Sequence, residues 1–184
     1  MFFCFWLVRQ ITIVLTCDGN CTRTLYSVRY LPFPFMNIQT EINNFLDLIL
    51  EPDSKLENLS ELISALDKLA ISTHQIEYVF DDTDYSDNSC FEYSEIRVKV
   101  ENRFPDLGLY NIALDVCDKI GDTQIATGDA IDDITDITLD LLRILWRFEN
   151  TSKNDALWHY ELLFRTHWGR HLRNLQLYLH DLYW

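Results

Sequence analysis

The chain is poor in the residues that make turns and in those that carry positive charge. Five Gly and four Pro are spread over 184 residues. An all-β protein with many tight turns would want more of both. Lys and Arg number 15 against 29 Asp and Glu, a net charge of −14. Nucleic acid is a polyanion and is bound by clustered Lys and Arg, so an acidic surface repels it. Anionic membrane surfaces are disfavoured for the same reason. There is no G-x-S-x-G and no phosphate-cradling Gly-rich loop, so neither a serine-hydrolase elbow nor a P-loop is present. The five Cys, at 4, 17, 21, 90 and 117, are odd in number and widely spaced. That argues against a disulfide framework and for buried free thiols in a reducing compartment. Cys17 and Cys21 form a C-x3-C with no second pair, a weak zinc signal.

What is present points to helices. Apolar residues make up 48% of the chain, enough for a core. Leu-rich stretches are broken by a few polar clusters. The expected fold is all-α, an antiparallel bundle of five or six helices with an atypical N-terminal segment.

The character changes at Met36. Residues 1–35 hold Arg9, Arg23 and Arg29 against one acid, Asp18, whereas residues 36–184 hold 12 basic and 28 acidic residues, a net of −16. Three readings fit the first segment. Residues 2–16 are mostly apolar, as in a targeting segment, but Arg9 interrupts the run, no basic region precedes it and no A-x-A site follows. VLTC at 14–17 only loosely matches a lipoprotein box. A β-hairpin is the second reading, with ITIVLT and TRTLYSVRY alternating around Asp18-Gly19-Asn20. The third is that translation starts at Met36, leaving 1–35 as an N-terminal extension outside the acidic helical domain.

Along that domain, Ile38, Ile42, Phe45 and Ile49 predict a helix over 38–50, stopped at Pro52. Leu56 to Leu69 mark a second helix, continuing through Ile76 towards Phe80. Residues 81–89 read as an acidic loop without the Gly and closing Glu of an EF-hand. Helices are expected over 92–104 and 109–120. Asp129 should cap a long helix over 129–148, with Asp132 close to a capping box. A last helix is expected over 154–183, with Leu157, Phe164, Trp168, Leu172, Leu175, Leu179 and Leu182 as its core face. Trp146, Trp158 and Trp184 are expected as core anchors or edge contacts.

Two constellations carry possible chemistry. Asp129, Asp133, Asp136 and Asp140 fall within an arc of about 60° on one helix. Carboxylates at that spacing can converge on a divalent metal, as in helical nucleotide pyrophosphatases, with Asp115 and Asp118 as a second acidic pair. Asp132-Asp133-Ile134-Thr135-Asp136 also spells the DDxxD of prenyl-diphosphate enzymes, whose folds need a longer chain and a second acidic motif. The bland expectation is a solvated face, because the arc lies well round the helix from the apolar stripe and acids suit a helix N-terminus. The second constellation is His167 and His171, at the i and i+4 spacing of helical metal ligands, with no Glu to make H-E-x-x-H. They flank an apolar face, where an imidazole needs a partner, and the Asp-rich helix is the obvious source.

Over residues 125–184 the sequence resembles a bacterial family known as domain of unknown function 5063. The carrying residues are Gly128-Asp129 through Asp133, Asp136-Ile137, Asp140-Leu141, Phe164, His167-Trp168-Gly169, His171-Leu172 and Leu179-His180. Residues 37–124 follow the family in outline, and residues 1–35 have no counterpart. The resemblance implies an all-helical cytoplasmic bacterial protein and no particular activity.

Two functions remain in view. One is a non-enzymatic module whose acidic face binds a basic protein partner. The other is a metal-dependent hydrolase of a phosphorylated small molecule, with Asp129, Asp133, Asp136 and Asp140 holding the cation and His167 or His171 as acid or base.

Overall fold

A computed structural model describes residues 36–51, 59–86 and 90–184. The hairpin around Asp18-Gly19-Asn20, the Cys17–Cys21 pair, the stop at Pro52 and the helix start at Leu56 lie outside the described residues. So does the whole segment on which the Met36 question turns.

Six helices are described, with one small sheet: α1 (Ile38–Leu50), α2 (Ser60–Ser72), α3 (Tyr93–Arg103), β1 (Leu109–Ala113), β2 (Ile125–Asp129), α4 (Ala130–Asn150), α5 (Lys153–Thr166) and α6 (Trp168–Tyr183). The fold is mainly helical, as the composition predicts. Asn37 caps α1 by accepting from the Thr40 N–H, and Ile38, Ile42, Phe45, Leu46 and Ile49 form its buried stripe. Among the described residues no helix is long and apolar enough to cross a membrane.

The architecture is organised around α4, which packs against α1, α3, α5 and α6. Ile134, Ile137, Leu141 and Ile144 are fully buried along it. Its wider circumference is covered too. Thr135 and Thr138 are buried and donate back to the carbonyls of Ile131 and Ile134 at 2.6 Å, so neither hydroxyl is orphaned. The helix is enclosed on several sides, so the solvated ridge expected for the aspartate arc does not hold at Asp133 and Asp140, whereas Asp129 and Asp136 stay partly exposed. Asp133 and Asp140 are 4% and 1% exposed.

Three further expectations are corrected. Residues 109–120 are not a helix. Leu109–Ala113 instead pairs antiparallel with Ile125–Asp129, with Tyr110 opposite Gly128 and Ile112 opposite Ala126. The strand period of two places Tyr110 and Ile112 inward, where a helical reading scatters them. Gly128 has no room for a side chain: a Cβ there would lie 2.6 Å from Ile112 Cδ1 and 2.7 Å from Tyr110 Cζ. The connection turns through Lys119 and Gly121, both at positive φ.

The last helix is two. His167 has φ −142° and ψ −87°, outside the helical region, and it separates α5 from α6. Gly169 makes the corner: a Cβ would sit 2.1 Å from the Phe164 carbonyl oxygen. The close approach at this glycine is to the preceding turn of the chain itself. α2 ends at Ser72, with a 3-10 turn at Thr73–Gln75, so residues 76–80 are not helical. The buried tryptophan is Trp168, packed on Tyr160 and Phe164, whereas Trp184 is exposed and Trp158 makes an edge contact with Phe80. Cys90 and Cys117 are exposed rather than buried.

Candidate functional site

The acidic arc of α4 meets the two histidines of α6 along the seam between those helices. His171 Nδ1 lies 2.6 Å from Asp133 Oδ1, and His167 Nδ1 lies 2.7 Å from Asp140 Oδ2. Asp133 and Asp140 are two turns apart on α4; His171 sits in the first turn of α6, and His167, in the non-helical break before it, reaches the more distant carboxylate. The rings stand edge to face with centroids 4.9 Å apart.

Each buried carboxylate has a second partner. Asp133 Oδ2 accepts from the Tyr110 hydroxyl. Asp140 Oδ1 accepts from Arg143 Nη1 at 3.1 Å. Tyr110 itself stacks on Tyr178 of α6, centroids 4.8 Å apart. Burial, then its hydrogen bond to Asp133, pushes the Tyr110 phenol well above its ordinary range, so it remains a donor. No carboxylate oxygen of either residue is thus left bare in the interior.

A carboxylate can only accept, so a neutral imidazole facing it carries its proton on Nδ1 and its lone pair on Nε2. Asp136 lies beside the outward nitrogen of His171, with Oδ2 3.6 Å from its Nε2. One ligand atom each from Asp136, His167 and His171 falls within 4.8 Å of the others, a grouping able to hold a metal ion. Burial pushes the Asp136 carboxyl up, and the nearby charges of Asp132 and Asp140 add to this while both histidines oppose it. The hydrogen bond to Asp133 raises the His171 pKa against the opposing effect of burial.

The four sequence-predicted aspartates therefore part company. Asp129 is the N-cap of α4, accepting from the Ile131 N–H at 3.0 Å, and its other oxygen accepts from Arg97 Nη2 at 2.8 Å. Burial pushes its carboxyl up, yet Arg97 and the backbone donors together hold it below the usual range. Asp133 and Asp140 orient histidines. Asp136 alone of the four falls in the grouping with both imidazoles. Asp132 reaches Arg97 and the Tyr93 hydroxyl rather than closing a capping box. Asp115 and Asp118 lie in the β1–β2 connection instead of on a facing helix, and Asp115 pairs with Lys119 at 3.1 Å.

Tyr110, Tyr178, Arg97 and Tyr93 support the site and escaped the sequence reading. The alternation of Leu109-Tyr110-Asn111-Ile112 was the available signal for Tyr110, hidden because five residues fit either period.

The family described as domain of unknown function (DUF5063) matches residues 35–184. The chain belongs to that family, across the acidic domain and not its C-terminal half alone. The crystal structure of protein BF1032 from Bacteroides fragilis is similar in fold, with a TM-score of 0.64 and 18% identity over 80% of this chain and 90% of that one. No curated protein matches the chain.

Proposed function

We propose that this domain binds a divalent transition-metal ion through Asp136, His167 and His171. The observation that carries the reading is the pair of buried aspartates behind the histidines. Each Nδ1 is engaged by Asp133 or Asp140, which leaves each Nε2 as the lone pair, and that of His171 lies 3.6 Å from Asp136 Oδ2. Metal-binding histidines characteristically give their other ring nitrogen to a carboxylate, which fixes the tautomer and strengthens the ligand. Two imidazoles with one carboxylate suit zinc, iron or cobalt rather than magnesium, which prefers oxygen ligands and water.

Bond lengths of about 2.0–2.2 Å require the three side chains to draw inward by about 1 Å. His167, the most exposed of the three, has room to turn. Three protein ligands leave a position open to water, the arrangement that in zinc enzymes lowers the pKa of the bound water. This supports the hydrolase alternative in altered form, with the histidines as ligands rather than as acid and base. The cavities at the α1–α2 groove and beside Trp184 are lined by other residues and supply no substrate pocket for it.

The test is thermal denaturation of the full chain after chelator treatment, with zinc, cobalt or magnesium added back. Zinc and cobalt should raise Tm by several degrees and magnesium should not. Cobalt should also give visible absorption bands that vanish in His171→Ala. An unchanged Tm and a colourless cobalt sample would sink the reading.

A further inference from the structure

The β1–β2 hairpin has one face that the bundle uses and one that it leaves bare. Tyr110 and Ile112 point inward, and Arg170 of α6 donates to the carbonyls of Ala113 and Leu114. On the opposite face Leu109 and Ile125 are 69% and 62% exposed at the two ends of the strand pair, with Asn111 and Thr127 between them, and the tip adds Leu114, Val116 and Ile120 at 42 to 83%. Five large apolar side chains bared within one short hairpin exceed the scattered singles of an ordinary surface. The sheet has two strands, so among the described residues neither outer edge is paired to a third; Arg170 occupies the outward carbonyl of Ala113 on β1, which leaves the β2 edge as the one for an added strand. An unpaired strand edge beside bare apolar side chains is a template for an added strand.

The charge at this face states what kind of strand fits. Asp118 and Asp122 stand exposed among the apolar residues of the tip, and Asp115 lies beside them with Lys119 as its ion-pair partner. Residues 36–184 carry a net −16. A second copy of so acidic a chain would be repelled, and so would an acidic peptide. A strand alternating apolar and cationic residues satisfies both halves of the surface: apolar side chains against Leu109 and Ile125, and ammonium or guanidinium groups against Asp118 and Asp122.

We propose that the outer edge of β2, together with the apolar tip of the β1–β2 hairpin, docks a basic, apolar segment of a partner protein as an added strand. This surface is separate from the Asp136–His167–His171 cluster and stands whether or not that cluster holds a metal.

Three labelled synthetic ten-residue peptides test it, alternating Lys with Val, Glu with Val, and Lys with Ser. Binding to the full chain is read by fluorescence anisotropy. The Lys–Val peptide should bind, the other two at least about tenfold more weakly, and added salt should weaken the complex. The bound peptide should slow alkylation of Cys117, which lies exposed in the same tip. Ile120→Ser with Ile125→Ser should lose about tenfold or more in affinity, and Asp118→Asn with Asp122→Asn should flatten the salt dependence. Circular dichroism and Tm verify that these surface variants remain folded. Equal binding of the Glu–Val or Lys–Ser peptide would overturn the proposal. So would unchanged affinity in the Ile120/Ile125 variant, no binding of the Lys–Val peptide, or self-association of the protein through this face.

Discussion

Asp133 and His171 lie 38 residues apart in sequence and 2.6 Å apart in space, and the Tyr110 hydroxyl holds the carboxylate from its other side. Three elements, β1, α4 and α6, thereby meet on one buried carboxylate. Asp133→Ala should cost about 2–3 kcal/mol, because it leaves a half-buried imidazole and a phenol without their acceptor. Urea denaturation measures this. Asp133→Asn should cost less, since an amide oxygen still accepts from one of the two.

The pH dependence of stability follows from His171. Its folded-state pKa is raised above the ordinary 6.5, chiefly by the hydrogen bond to Asp133. The apo protein therefore draws full stabilisation from this pair below about pH 6.5 and loses it as pH rises through the raised folded value. A metal ion needs the neutral ring, so zinc stabilisation should run the other way, growing as pH rises through that value. Tm measured from pH 5 to 9, with and without zinc, should give curves of opposite slope. His171→Asn should remove this histidine's contribution from both.

Gly169→Ala should destabilise strongly, by about 3 kcal/mol or more, because the new Cβ would lie 2.1 Å from the Phe164 carbonyl oxygen. Backbone must shift to relieve it. Gly108→Ala serves as the contrast, since nothing lies within 4 Å of a Cβ there. Its effect on a denaturation midpoint should be small.

The cap of α4 separates charge from hydrogen bonding. Asp129→Ala removes the acceptor for the Ile131 N–H and the partner of Arg97. The loss should be about 1–2 kcal/mol. Asp129→Asn keeps the cap and sheds the charge, so about half of the stability should remain at risk only at low salt. Midpoints in urea at 20 mM and 500 mM NaCl would distinguish the two contributions.

Much of this was legible in residue spacing. The stripes Ile38–Ile49 and Ile131–Phe148, and the cap at Asp129, predict their helices because apolar period and capping chemistry agree, although Ile144 rather than Leu145 and Phe148 is fully buried at the C-terminal end. The pairing of the histidines with the aspartate helix was legible as well, since a flanking imidazole requires an acceptor and α4 is rich in them. The burial of Asp133 and Asp140 was not, because a periodicity argument grants a helix one buried face and α4 is enclosed on several. The break at His167 was hidden for another reason: Leu157, Phe164, Trp168 and Leu172 keep a helical rhythm across it. Only the backbone contact between Gly169 and Phe164 makes the corner.

The spacing of Asp129, Asp133, Asp136 and Asp140 has a consequence for how the chain folds. In an isolated helix, carboxylates three and four residues apart repel one another. α4 therefore opposes its own formation until Arg97 of α3 and His167 and His171 beyond it arrive. The central helix of the bundle should be among the last to become stable by itself, and a peptide of residues 129–150 should be largely unstructured at neutral pH and gain helicity as it is acidified.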